Sequence, residues 1–352
     1  MNANGLTLLK RHLTDILSDR IVDLSPVYGG RNSQVYHAIF ENRLALAVKV
    51  YFRDPKDKRN RLATEWAACT FMRDHHVASV PLPVFKDEEK GMAAYAFIDG
   101  EKPDPRKIKV EDVDALIRFL KSLEGLKYKK NASQLPIASE AGFSIEEMVD
   151  IIDRRFKRFP CFRDEAAGEP DVDDFLKREL RPFYEEIKVW CRKTAERSGI
   201  DFSEKIATAD RTLSPSDVGF HNVLRSPNGR LTFLDFEYFG WDDPAKVIVD
   251  FYLHPAMDIR KELRHYFVET MISAYDHIHG LDVRVSVCYP LLGIKWCLIL
   301  LNEFIPSDNE RRRFAQGNGM ENRAAIALQQ LNKARKMVHF IKTTYKEFGY
   351  GG

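Results

Sequence analysis

The stretch from Ser214 to Pro244, SPSDVGFHNVLRSPNGRLTFLDFEYFGWDDP, sets two aspartates and an asparagine, Asp217, Asn222 and Asp235, in apolar surroundings. Two short apolar runs flank Ser226-Pro227-Asn228-Gly229, a turn sequence that predicts a small hairpin. Such a hairpin brings Asp235 back beside the loop holding Asp217 and Asn222, so that three oxygen ligands are presented together. Mg²⁺ prefers one or two carboxylates completed by substrate phosphates and water. An Asn and an Asp with a second Asp left to orient an attacking hydroxyl is therefore an inventory for metal-assisted phosphoryl transfer.

Working outward, the preceding chain separates into a strand-rich and a helix-rich part. MNANGLTLLKRHLTDILSD is amphipathic at helical spacing and has no apolar signal core, so a mature cytoplasmic N-terminus is expected. RIVDLSPVYGGRNSQVYHAIFENRLALAVKVYF reads as a three-stranded antiparallel ribbon broken at Gly29-Gly30 and at Glu41-Asn42. A helix over about 58–74 and a second hairpin ending near Ile98 follow. Beyond a Pro-bearing linker, Val110 to Leu123 keep helical spacing until Gly125 offers a C-terminal stop. The rest is mostly helical, including an inserted segment of about 144–198 whose alternating charges predict a half-solvated surface helix.

Composition narrows the partners. The 352 residues are 44% hydrophobic and 30% charged with a formal net charge of +2, and no long block of like charge marks a nucleic-acid groove or a polybasic anchor. The most apolar window, Val285 to Leu301, is short and contains Pro290 and Lys295, which favours a buried helix over a membrane span. The five cysteines are scattered and odd in number, which favours reduced thiols.

Upstream residues extend the chemistry. On the strand containing LAVK, Ala45, Ala47 and Lys49 share one face, where small alanines leave room for a flat base and the lysine reaches phosphate oxygens. In the following helix Glu65 sits inside an apolar stripe of Leu62, Trp66, Cys69 and Met72. A carboxylate facing a core is costly unless paired, and Lys49 is its natural mate. The open alternative turns Glu65 outward beside Arg61.

Together these residues resemble the aminoglycoside phosphotransferase and choline kinase family, relatives of the protein kinases. SPSDVGFHN and LDFEYFGWDDP are similar to its catalytic and metal-binding motifs, and LAVK to its nucleotide strand. The resemblance, over roughly residues 20–260, implies an α+β protein-kinase-like two-lobe fold. It places a small antiparallel-sheet N-lobe at 1–98 and a larger, mainly helical C-lobe at 99–352. Within the latter fall the catalytic loop 214–222 and the metal strand 231–237. It implies an ATP- and Mg²⁺-dependent kinase phosphorylating a hydroxyl of a small molecule such as a sugar, amino alcohol or aminoglycoside-like acceptor. Asp217 is then catalytic, Asn222 and Asp235 hold metal, and Lys49, positioned by Glu65, holds the nucleotide phosphates. Gly29, Gly30 and Ser33 would let backbone amides approach phosphates, Ala47 would pack on adenine, and the backbone of Ala96, Phe97 and Ile98 would pair with the adenine edge.

For the acceptor the candidates are His221, Glu237, Tyr238, Trp241, Trp296 and Glu303, with Asn302 beside the last. His221 and Trp296 also have a structural reading, the preferred one for both, and Glu237 one as a salt-bridge or metal-supporting residue. One departure bears on activity: Ser214 stands where the family has a bracing histidine, which keeps open a pseudokinase that binds nucleotide without turnover. The spacing of Asp243 and Asp250 also exceeds that of the family's downstream aspartates.

Overall fold

A computed structural model describes residues 3–27, 33–53, 57, 59–162, 169–305, 308, 314 and 323–348. The chain divides into two compact units, one of Met1–Lys102, Val223–Tyr238 and Ser307–Glu321, the other of Pro103–Asn222, Phe239–Pro306 and Asn322–Gly352. The expected division near residue 98 followed chain order alone; contacts group the 223–238 hairpin with the sheet.

The first unit is built on strands β1 (Ile21–Val27), β2 (Ser33–Phe40), β3 (Leu46–Tyr51), β4 (Pro83–Asp87) and β5 (Met92–Ala96), paired antiparallel in the order β1-β2-β3-β5-β4. Alternation along β3 decides what each face does. Leu46 and Val48 point into a core with Tyr36, Ala38, Phe40 and Ala94, capped by Leu9 and Leu13 of α1 (Ala3–Leu17). Ala47 and Lys49 belong to the opposite face. Helix α2 (Arg61–Asp74) begins where the Asn60 side chain accepts the Ala63 N–H at 3.0 Å. The predicted hairpin is β7 (Val223–Arg225) and β8 (Leu231–Phe233), with Gly229 in the left-handed conformation its turn requires.

The second unit is helical. α3 (Val110–Leu126) ends one residue past the expected stop at Gly125, with Leu123 and Leu126 closing its buried stripe. α4 (Ile145–Phe156) and α5 (Pro170–Asp174) lead through a wider turn at Phe175–Leu180 into α6 (Arg181–Arg197). Residues 163–168 of the predicted insertion lie outside the described residues. The two longer helices of that insertion, α4 and α6, are more than a solvated cover: both pack on the core helix α9 (Leu281–Leu300). α7 (Pro244–Leu253) and α10 (Arg323–Thr344) pack there too, and α8 (Lys261–Ala274) lies against α3 and α7. Leu281–Phe304 is long and apolar enough, by length and composition, to cross a membrane, but nearly all of that window is buried inside the protein. A short ladder of β6 (Thr212–Ser214) and β9 (Gly240–Asp242) completes the unit.

Candidate active site

In the sheet unit, Lys49 is the centre of an ionic cluster. Its Nζ donates to Glu65 Oε2 and to Asp235 Oδ1, both at 2.7 Å, and lies 3.8 Å from Glu237. Burial alone would push this lysine down; the carboxylates of Asp235, Glu65 and Glu237 outweigh it and hold the ammonium well above its ordinary value. Glu65 is 3% exposed, so the outward alternative fails. Its Oε2 also accepts the Tyr51 hydroxyl at 2.7 Å, and its Oε1 accepts the Phe236 N–H at 3.3 Å. α2 is thereby tied both to the strand lysine and to the backbone just past Asp235.

Asp235 has φ of +65°, an uncommon conformation for a residue other than glycine, and a third of its side chain remains exposed. Glu237 is buried within 3.8 Å of Lys49 and of Arg61. Burial, then the charge of Asp235, pushes its carboxyl up to about 7. Arg61, itself buried, donates to Asp57 at 2.6 Å and lies against the Tyr238 ring. These positions give Glu237 and Tyr238 local partners in the lysine cluster. Tyr51 went unread in the sequence, although it shares the face of Lys49, and Arg61 entered there only as the alternative partner of Glu65.

The segment 96–98 is partly committed to the sheet. Ala96 and Phe97 donate their N–H groups to the Leu82 and Ala45 carbonyls, so those two donors are spent within the sheet. The Phe97 ring stacks on His37 at 3.7 Å. Ser33 is buried at the start of β2, opposite Tyr51. Gly29 and Gly30 lie outside the described residues.

In the helical unit, Asp217 is held from several sides. Its Oδ1 meets Nε2 of His254 at 3.0 Å and Nε2 of His221 at 3.2 Å; Asn222 Nδ2 donates to its Oδ2 at 3.3 Å and to its carbonyl at 3.1 Å. Burial alone would push Asp217 up. The hydrogen bonds from His221 and His254 outweigh that and hold it well below the usual carboxylate range. Because the Asn222 amide nitrogen faces Asp217, its oxygen is left to face elsewhere, as a ligand for a hard cation requires.

The loop carrying Asp217 has a brace of its own. Fully buried Ser214 accepts the Ser216 N–H at 2.8 Å, and Ser216, with φ of +65°, donates its hydroxyl to the Ser139 carbonyl. Lys246 Nζ donates to Ser216 Oγ at 3.1 Å and to Asp242 at 2.8 Å, and lies 3.2 Å from Asp250. Asp250 accepts from Lys295 and from Trp296 Nε1 at 2.9 Å. Asp243 caps α7 and pairs with Arg284. A serine-lysine brace therefore supports the loop where the family's histidine is missing.

Of the remaining acceptor candidates, Trp296 spends its indole N–H on Asp250 and Trp241 donates its own to the Ala132 carbonyl at 3.0 Å. Trp296 also meets the His254 ring edge-on at 4.5 Å. Asn302 and Glu303 form a one-turn helix after α9; Asn302 is buried and its Oδ1 has no hydrogen-bond partner.

The model described as the phosphotransferase enzyme family matches residues 23–285, well over half of the chain. Among solved structures, the choline kinase LicA from Streptococcus pneumoniae superposes with a TM-score of 0.58 at 16% identity, over 96% of this chain and 100% of that one. Spectinomycin phosphotransferase APH(9)-Ia, in complex with ADP and spectinomycin, gives 0.59 at 12% identity over 97% and 98%. A gentamicin complex of APH(2")-IIa gives 0.59 at 16% over 96% of each chain. These likenesses establish the mixed fold, an antiparallel-sheet N-lobe with a helical C-lobe. No curated protein matches by sequence.

Proposed function

We propose, since the chain belongs to the phosphotransferase enzyme family, that it transfers the γ-phosphoryl group of ATP, with Mg²⁺, to a hydroxyl of a small metabolite in the cytoplasm. The observation that carries this reading is the Lys49 cluster, where a strand lysine bonds a helix glutamate and Asp235 at once. Three carboxylates surround that lysine, and one of them is partly exposed, so the cluster holds surplus negative charge suited to a divalent cation. Mg²⁺, when bound, supplies charge neutralisation at the phosphate oxygens. Asp235 and Asn222 are the residues that would hold it. Lys49, fixed by Glu65, holds nucleotide phosphates, and Asp217 orients the acceptor hydroxyl. An aspartate kept this far below the usual range stays ionised but is a weak base, so its work is to position the hydroxyl and accept its proton late.

The kinases of known structure named above carry choline kinase, spectinomycin and gentamicin in their descriptions, which spans amino alcohols and amino sugars. The test is acceptor-dependent ADP release from MgATP across sugars, amino alcohols, aminoglycosides and nucleosides. With the acceptor in hand, Asp217→Asn is expected to abolish transfer and leave ATP affinity nearly intact. Near-normal turnover in that variant would remove Asp217 from its role; nucleotide binding without release for any acceptor would favour the pseudokinase.

A further inference from the structure

The segment after α7, His254-Pro255-Ala256-Met257, closes on the catalytic loop in a way no motif in the sequence announces. Phe220 donates its N–H to Met257 Sδ at 3.1 Å. A Cβ built on Gly219 would come within 2.8 Å of that sulfur and within 2.6 Å of the His221 ring, so only glycine fits between them. The His221 and His254 rings lie stacked, 4.0 Å apart and 13° from parallel, with both Nε2 atoms on Asp217 Oδ1.

The tautomer of His254 follows from its other nitrogen. The Ala256 N–H donates to His254 Nδ1 at 3.1 Å, so Nδ1 carries a lone pair and the proton of a neutral ring sits on Nε2. Burial, reinforced by the His221 ring, pushes His254 down, which favours that neutral form against the opposing pull of Asp217. The same bond pattern disposes of a different reading. Asp217, His221 and His254 bring three ligand atoms close enough for a metal ion. A ring with its Nε2 protonated has no lone pair to offer there.

We propose that His254 is a positioning residue for the phosphoryl transfer: through Nε2–H it fixes the rotamer of Asp217 so that Oδ1 is occupied and Oδ2 receives the acceptor hydroxyl. The proposal rests on the kinase reading for its chemistry, but its geometry stands apart from it. Oδ1 is met by the Nε2 atoms of both His254 and His221. Oδ2 has one long bond from Asn222 and one site left. With its rotamer fixed, Asp217 presents the same oxygen on every turnover, and less of the barrier is spent on finding that geometry. Trp296, packed edge-on against His254 and anchored on Asp250, keeps the imidazole from rotating away.

Two measurements decide it. In protein labelled with ¹⁵N-histidine at neutral pH, the His254 signal, assigned by its loss in His254→Gln, should show a protonated Nε2 and a bare Nδ1. Its Nε2–H proton should lie far downfield and move when Asp217→Ala removes the acceptor. A bare Nε2, an imidazolium, or no response to Asp217→Ala overturns the proposal. In MgATP hydrolysis with water as acceptor, His254→Phe keeps the ring but loses the donor. Its kcat should fall about ten- to a hundredfold, the range for one hydrogen bond to a charged group, with KM for ATP unchanged. His254→Gln, which keeps a donor at the same reach, should recover most of the loss. Unchanged kcat in His254→Phe, or equal losses in both variants, overturns the positioning role. A wild-type chain that neither binds nor hydrolyses MgATP refutes the kinase reading and the transfer role with it, and the tautomer measurement then tests only whether His254 fixes the Asp217 rotamer.

Discussion

Lys49 and Lys246 are both buried lysines bonded to two carboxylates each, and the surroundings of those carboxylates separate their work. Around Lys246 the charges are matched and closed in: Asp242 and Asp250 face Lys246 and Lys295, and all four are at most 3% exposed. Burial pushes Asp242 up and Lys295 down, while the partners of Lys246 and Asp250 hold both in their ionised forms against desolvation. Around Lys49 three carboxylates gather, one is partly open, and another is pushed towards neutrality. A balanced buried network fixes a geometry; an unbalanced, partly open one is built to take on a counter-charge.

The comparison is broken most directly at Asp250. Asp250→Ala strands Lys295 and the Trp296 N–H and halves the pairing of Lys246, so a loss of about 3–5 kcal/mol is expected in chemical denaturation, the range for breaking a buried pair. A loss under about 1 kcal/mol would mean that the network is dispensable. Glu65→Gln, in the other cluster, should cost roughly 1–2 kcal/mol, because Lys49 keeps Asp235 and the amide keeps an acceptor.

A second test concerns counter-charge. MgATP at about a hundred times its Kd should stabilise the wild type by about 2.7 kcal/mol. Asp235→Ala should remove most of that shift, and Asp250→Asn, in a variant that still folds, should retain it. Equal losses in the two would erase the distinction between the clusters.

A third sharpens the brace. Ser214→Ala leaves the half-buried Ser216 N–H without its acceptor and should cost about 1–2 kcal/mol of stability, read as a Tm shift. A larger fall in turnover than in stability would show that the left-handed turn at Ser216 is held for the loop's function.

How much of this could be read in advance depends on how far apart in the chain the partners lie. Glu65 was legible because a carboxylate interrupting a helical apolar stripe must find a partner, and the alternation of β3 supplied Lys49. The division into a strand-rich and a helix-rich part followed from the change of pattern after residue 98, and the two-lobe fold from the resemblance. Lys246 left a signal that went unused: it lies four residues after Asp242, at the end of β9, and four before Asp250 on the same face of α7. His254 left none. A single histidine after an apolar helix has no periodicity to betray it, and it meets Asp217 only because α7 returns the chain to the loop.

The smallest expected effect is a pH dependence at His254. The groups facing its ring are Asp217, His221 and Trp296, with Asp250 adding a more distant charge. Its folded-state pKa is pushed below the ordinary histidine value, chiefly by burial. The unfolded chain therefore takes up a proton at this position as pH falls through about 6.5 while the native chain does not, and stability drains away in that window. His254→Gln cannot titrate there. The Tm advantage of the wild type over His254→Gln should thus shrink between pH 7.5 and 5.5 in a scanning-calorimetry series. An advantage that grows on acidification would mean that His254 is charged in the folded protein, donating to Asp217 as an imidazolium.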